Sequence, residues 1–435
     1  MAAVQRRRRS GQRGQGLFEY GVIVVGIAIL VITVITLIGS KTAANACQVS
    51  AGLTATSAGC AIYSLGYNGH GELGQGTTGA DVTTPTKIPG LTGVDQTTDG
   101  GSVNSMVKKN DGTVWTWGDD SVGQFGNGGT GAASGTPTKV TAFSDAINVS
   151  QGANFALAVK GDGTAWAWGT NANGQMGNAG ASNPQTSPIE VQAGACTCTG
   201  GGGFLNNVTA VAAGGLTALA LTKDGNVWAW GDGGTGEMGN GGAMVGSTTP
   251  VQVVLPVGAT AISAGDGIML ALGSDGKAYA WGLNENGQLG RGGVCPCLNS
   301  STAAAVGGAW NSGVQQVSTT GQFCLALKSD NSVWAWGRGS QGQMGQSAAG
   351  LDNNSTPLQV KGVGGPGTLA ATSIATGYYH ALAIQTDGTV VGWGQNAHGE
   401  LAGAAGSQTS PFVINGVSAK AIAGGTDTTF IVTAS

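Results

Sequence analysis

The chain has 435 residues, 82 of them Gly, and only 9 % are charged, against about 7 % Gly and about 25 % charge in an ordinary soluble domain. Glycine at this level without a Gly-X-Y period excludes collagen, and 11 Trp with 41 % hydrophobic residues exclude a disordered chain, which leaves a glycine-punctuated β architecture. Arg6, Arg7, Arg8, Arg9 and Arg13 hold five of the 18 basic residues, so the remainder carries 13 basic against 22 acidic residues, a sign that repels nucleic acid and anionic lipid headgroups.

Behind the arginines stands Gly14-Gln15-Gly16-Leu17-Phe18-Glu19-Tyr20, and then an apolar run of seventeen residues from Val22 to Ile38. As a helix that run spans about 25 Å, and Leu17, Phe18, Tyr20 and Gly21 extend it to bilayer thickness. A helix is therefore expected from about Gly16 to about Ala43, with the arginines on the cytoplasmic side and everything after Lys41 outside. Glu19, at the head of this segment, is costly in hydrocarbon unless a cation neutralises it. The basic run, Gly14, the Glu19-Tyr20 pair and the apolar helix together resemble the prepilin signal of Flp-type pilins, the subunits of tight-adherence (Tad) pili. The resemblance covers residues 6–40. It implies that a prepilin peptidase cuts between Gly14 and Gln15, which makes Glu19 and Tyr20 the fifth and sixth residues, and that Glu19 meets the freed amine of a neighbouring subunit during assembly. Such pilins usually end soon after the helix, whereas here the chain continues to residue 435. The alternatives are a plain anchor, or a secretory signal peptide with Ala44-Asn45-Ala46 as its small-residue cleavage site before Cys47.

From Ile62 onward one pattern recurs seven times: an apolar strand closed by Gly, mostly as Trp-Gly, and then Gly-(Gln/Glu)-x-Gly. The first Gly falls at Gly66, Gly118, Gly169, Gly231, Gly282, Gly337 and Gly394. The second element is regular from Gly71-Glu72-Leu73-Gly74 through Gly342-Gln343-Met344-Gly345, and imperfect only in Gly399-Glu400-Leu401-Ala402. Within a copy, Leu219 to Thr222 and Val227 to Trp230 alternate at period two around Asp224-Gly225, the signature of a β-hairpin. The same turn recurs at Asp111-Gly112, Asp162-Gly163, Asp275-Gly276, Asp330-Asn331 and Asp387-Gly388, and is missing ahead of Tyr63. With a Pro-x-x-Val strand (Pro250 to Val253, Pro357 to Val360) each copy supplies about four strands, too few to hide two apolar faces alone, so the copies must stack radially.

A period of roughly 50 residues built of strands points to a β-propeller. The fold expected is therefore all-β, a seven-bladed β-propeller preceded by one long hydrophobic N-terminal α-helix. From about Ala51 to Ser435 the motifs look like those of the regulator-of-chromosome-condensation repeat family, whose propellers have seven blades. Ala419 to Ala434 supplies two strands with nothing after them, which are expected to complete the sheet that holds Ala61 to Gly66.

Candidate chemistry is sparse. No phosphate-loop motif occurs, so the glycines are turn residues. His70, His380 and His398 are scattered and read as surface residues, forming neither triad nor metal site. Asp119, Asp120 and Asp232 could face a cation but lack the density of a calcium loop. Trp115/Trp117, Trp166/Trp168, Trp228/Trp230 and Trp334/Trp336 recur with the blades and belong to the core. In an exported chain most cysteines should be oxidised: Cys47 with Cys60 could tie the linker to the propeller, and Cys196/Cys198 and Cys295/Cys297 could form local bridges or, if two distant loops met, a zinc site. Cys324 reads as a buried free thiol.

The expected organisation is a leader at residues 1–14, a helix and linker at 15–46 and a propeller at 47–435. The expected function is a structural subunit of an extracellular filament. It would polymerise with itself, depend on the prepilin peptidase, the assembly machinery and the inner membrane, and present its propeller to a surface or protein target. The alternative is an anchored or secreted propeller that grips another protein outside any filament, as members of the resembled repeat family do. No enzyme, cofactor or metal is expected, because no nucleophile, base and orienter are spaced in a usable pattern.

Overall fold

A computed structural model describes residues 60–98, 103–194, 203–293, 298–347, 353–403 and 405–433. Gly14, Gln15, Glu19 and Tyr20, the expected helix and Cys47 lie outside these residues, as do Cys196, Cys198, Cys295 and Cys297. Among the described residues there are 27 strands and no helix.

One blade shows how the sequence makes a sheet. Val208–Ala213, Thr217–Thr222, Val227–Gly231 and Ser247–Gln252 pair antiparallel in chain order, with Leu219 opposite Ala229 and Ala220 opposite Trp228. Tight turns need their polar groups answered locally, and the hairpin aspartates do this: Asp111, Asp162, Asp330 and Asp387 each accept a bond from the amide two residues on, at 2.9–3.0 Å. The Thr164 amide and hydroxyl hold the Asp162 carboxyl below the usual carboxylate range. In three copies the hydroxyl in turn accepts from the outer Trp of the hairpin, Trp115, Trp166 or Trp334, which stays only half buried.

Five sheets have four strands and a sixth has seven. The long sheet is two blades joined, because Gln408–Gly424 is one 17-residue strand. Its first half pairs with Thr389–Gly394 as the outer strand of one blade, and its second half pairs with Thr428–Thr433 as the inner strand of the next. Thr428–Thr433 pairs with Ala61–Gly66, which pairs with Val82–Thr92. Seven blades result, and the late and early parts of the chain share one of them, as expected. The closing blade has its second strand from residues 428–433 and its third from 61–66, so no hairpin can join them. That is why the first copy lacks its Asp-Gly.

Each of the seven apolar clusters draws on two successive blades: Phe155, Leu157 and Val159 of one blade pack on Val211, Ala220 and Trp230 of the next. Burial of this kind, at about 25 cal/mol per Å² of apolar surface, is what makes the separately weak sheets stable. Cys60 is buried and disulfide-bonded to a cysteine outside the described residues, and Cys324 is free and fully buried, its thiol pushed up to about 12 by burial.

A second tie runs between blades. The indoles of Trp117, Trp168, Trp230, Trp281, Trp336 and Trp393 are fully buried. Each donates its Nε1–H to the backbone carbonyl of the Gln or Glu in the preceding blade's Gly-(Gln/Glu)-x-Gly turn, at 2.6–2.9 Å. The side chain of that Gln or Glu closes the turn by accepting the amide two residues back, at 2.8–2.9 Å in all seven copies. The last Gly of the turn has positive φ, and a Cβ there would crowd the indole, at 2.9 Å for Gly74 and 2.7 Å for Gly239. The imperfect seventh copy obeys the same rule, since Ala402 faces the closing blade, where Leu65 stands in place of the Trp.

Three of the turn residues are carboxylic acids, Glu72, Glu237 and Glu400, and burial raises the pKa of each. A raised acid pKa means that the folded state holds its proton more tightly than the unfolded state, so stability falls as pH rises through the unfolded value near 4.5. Glu237→Gln keeps the bond from the Thr235 amide and gives its new N–H the Thr235 hydroxyl as acceptor, now 2.6 Å from Oε1. It is expected to match the parent protein in urea unfolding at pH 4 and to exceed it at pH 8, the gap opening as pH rises above about 4.5.

His380 corrects the surface reading. It opens the second strand of its blade, His380–Ile384, at the position held by Phe155 and Phe323 in two others, and it is fully buried. Nε2 lies 3.1 Å from Thr429 Oγ1 while Nδ1 has no partner, and burial pulls the pKa from 6.5 down to about 3. A depressed histidine pKa leaves the fold intact above about 6.5 and costs stability as pH falls toward 3. His380→Phe is expected to remove about 3 kcal/mol of the acid-dependent loss between pH 6.5 and pH 4, measured as the difference between the variant and parent stability curves.

Candidate functional site

In every blade the chain runs up the inner strand, turns, and descends the second strand. The described first turns therefore surround the axis at one end of the ring. Glycine lets them come close: a Cβ on Gly214 would meet the Gly265 carbonyl, and one on Gly321 would meet that of Tyr378. Ala153, Gly215, Asp266, Thr320, Tyr378, Tyr379 and Thr426 line the resulting cavity of about 140 Å³.

Most of these positions are small, which makes the exceptions stand out. The Tyr378 hydroxyl donates to Asp266 Oδ2 at 2.5 Å, and burial, with the Asp266 carboxylate second, pushes its pKa up. Gln322 Nε2 reaches the same oxygen at 3.4 Å and is itself bonded through Oε1 to Asn286. The Tyr379 ring packs edge-on against Tyr378 with centroids 4.6 Å apart, and the Arg338 guanidinium stands 5.7 Å from its centroid on the rim. Leu216, in the turn that holds Gly215, is 41 % exposed, and Met244 and Val245 in the neighbouring loop are 41 % and 63 % exposed.

At the same end, ring closure gathers residues that are far apart in sequence. Tyr67 lies with its ring centroid 5.0 Å from that of His398 and 6.3 Å from that of His70, because copies one and seven are neighbours. His398 Nδ1 pairs with Asp81 Oδ2 at 2.8 Å, and His70 Nδ1 with Glu72 Oε1 at 3.0 Å. Burial pulls the His398 imidazole down, but the Asp81 bond and the charges of Asp427, Asp81 and Glu400 outweigh it and hold the pKa above 6.5. Burial likewise raises the Asp427 carboxyl, which accepts a bond from Gln395 at 2.9 Å. The histidine pair is a feature of the seam between blades that the spacing of the histidines does not reveal.

The aspartates weighed as cation ligands close their own loops instead. Asp119 accepts from Ser121 and Gln124, Asp120 from the Phe125 amide, and Asp232 from the Gly233 amide. No group of three or more His, Cys, Asp or Glu among the described residues could hold a metal. Asp266, Tyr378 and Tyr379 were missed in the sequence, although the signal of the first two is visible there: Ala264-Gly265-Asp266 and Thr376-Gly377-Tyr378 put a charged and a large residue where the other copies keep a small one. Lys109, Lys160, Lys223, Lys277 and Lys328 lie beside or within the hairpins at the other end together with the hairpin aspartates, and Asp232, Asp266 and Asp427 lie at the mouth end with Arg338.

Comparison with known proteins agrees with the ring. A family model described as the regulator of chromosome condensation (RCC1) repeat matches residues 61–99, 111–159, 162–221, 224–272, 275–327 and 330–384. Among relatives, the Arabidopsis thaliana ultraviolet-B receptor UVR8 is 28 % identical over 348 residues, covering 78 % of this chain and 74 % of the receptor. The Mus musculus E3 ubiquitin-protein ligase HERC2 is 28 % identical over 349 residues, 78 % of this chain but only 7 % of the ligase. Prp20p of Saccharomyces cerevisiae, a protein studied for its binding to Gsp1p and histones, shares the fold with a TM-score of 0.74 at 19 % identity, over 87 % of this chain and 93 % of its own. These findings overturn the expectation of a filament subunit, since the relatives are a receptor, a ligase and a Gsp1p- and histone-binding protein. The family matches begin at residue 61, so the pilin-like reading of residues 6–40, with Gly14, Gln15, Glu19 and Tyr20, draws no support from them. With six repeats matched around the ring, the chain belongs to the regulator of chromosome condensation (RCC1) repeat family.

Proposed function

We propose that the propeller is a protein-binding module of regulatory type, without chemistry of its own, which docks its partner over the axial mouth. The observation that carries this reading is the composition of that end. A tyrosine pair and a carboxylate sit at the centre, with exposed Leu216, Met244 and Val245 beside them and charge at the edge. Aromatic and apolar groups at the centre with a polar rim are the anatomy of a recognition surface. Catalysis would need a nucleophile with a base and an orienter, and the mouth brings together none of the arrangements that supply one. Prp20p, with its binding to Gsp1p and histones, supports a propeller of this fold working by contact with proteins. The ligase activity of HERC2 is not carried over, because the match covers 7 % of that protein. An exported location is part of the proposal: the apolar run after the arginines and the disulfide at Cys60 both support it.

A photo-cross-linking amino acid at Leu216 or Met244, compared with one at Ile147 or Val254 at the hairpin end, tests which surface is used in cells expressing the full chain. Discrete adducts are expected from the first pair and not the second. Adducts from Ile147 and Val254 alone, or from none of the four, would overturn the reading.

A further inference from the structure

We propose that the axial cavity is a receptor for the ammonium group of a lysine side chain offered by the docked protein. The inference rests on the reading of this end as the docking face and deepens it by naming the group that enters.

Size comes first. A cavity of about 140 Å³ holds the equivalent of about five waters, enough for one extended side chain and too little for a folded segment. Charge comes second. Asp266 Oδ2 is taken by the Tyr378 hydroxyl and the Gln322 amide, while Oδ1 accepts no hydrogen bond among the described residues. A carboxylate with a single open oxygen matches a compact point charge. The planar fork of a guanidinium is matched by two open oxygens. The walls come third. Two tyrosine rings and glycine backbone give a methylene stem an apolar sleeve.

Among the described residues no cationic side chain fills this place. Arg338, the cation nearest the mouth, stands outside Tyr379 with its Nε on Ser340, and forms no ion pair with Asp266.

The test uses the full chain in detergent and three capped single-residue probes, Nα-acetyl-lysine methylamide, its ε-acetylated counterpart and Nα-acetyl-arginine methylamide, followed by ligand-observed NMR. The lysine probe is expected to bind saturably and the ε-acetylated probe not at all, with arginine several-fold weaker. Asp266→Asn should weaken lysine binding at least tenfold. Tyr378→Phe, which keeps a ring and leaves only the Gln322 amide on Oδ2, should narrow the preference for lysine over arginine. Equal binding of the ε-acetylated probe, or no saturable binding of lysine, would sink the proposal. So would an Asp266→Asn protein that melts like the parent and binds lysine equally well. If that variant does not fold, the comparison of probes and the Tyr378→Phe result decide. Failure of the lysine probe with cross-linking at Leu216 intact removes the pocket and leaves the docking face; loss of both removes both.

Discussion

The hydrogen bond from a buried indole to the turn of the preceding blade is the constraint around which the repeat is written. It explains why three separate residues of the motif recur together. The Trp supplies the donor and the apolar bulk, the Gln or Glu holds its own turn so that its carbonyl faces the indole, and the final Gly leaves room for the ring. The exception supports the rule. Where Leu65 replaces the Trp, the facing turn tolerates Ala402 at φ 69°, so two departures at opposite ends of the sequence have one cause.

A ring tied in this way is rigid where its inner turns meet, and that rigidity lets a few side chains define a site. Polar groups on the inner strands reinforce it: Gln96 exchanges two bonds with Val149 of the neighbouring blade, and Ser318 bonds Thr376 of another. On such a frame, substitution at one turn changes the mouth without disturbing the blade behind it. Asp266 and Tyr378 come from different blades and meet because the inner turns that carry them converge.

How much of this was legible follows from how local each feature is. Hairpins, blade number and the completion of one blade by Ala419 to Ala434 could be read because each depends on short periodic patterns or on one leftover segment. The burial of His380 could not, because it depends on the register of its strand relative to Phe155 and Phe323. The meeting of Tyr67 with His398 depends on closure of the ring, and the mouth on turns from several blades at once. The reading of residues 6–40 failed to fix function for a different reason: a short apolar segment with one carboxylate is a weak constraint, and the seven-fold repeat that follows belongs to a family of quite other roles.

The closing blade has a mechanical consequence. The strand that enters the ring, Ala61–Gly66, and the strand that leaves it, Thr428–Thr433, are antiparallel neighbours, and Ile62 lies opposite Val432. The chain thus enters and leaves at the same end of one ladder. Tension applied between the two exits loads that ladder one rung at a time, as in opening a zip, whereas each remaining blade is bridged by its own hairpin and feels the pull only after this one has parted. The seam that completes the ring is therefore also its tear line, and it runs through the one blade whose third strand carries Leu65 in place of the indole that binds the others to the blade before.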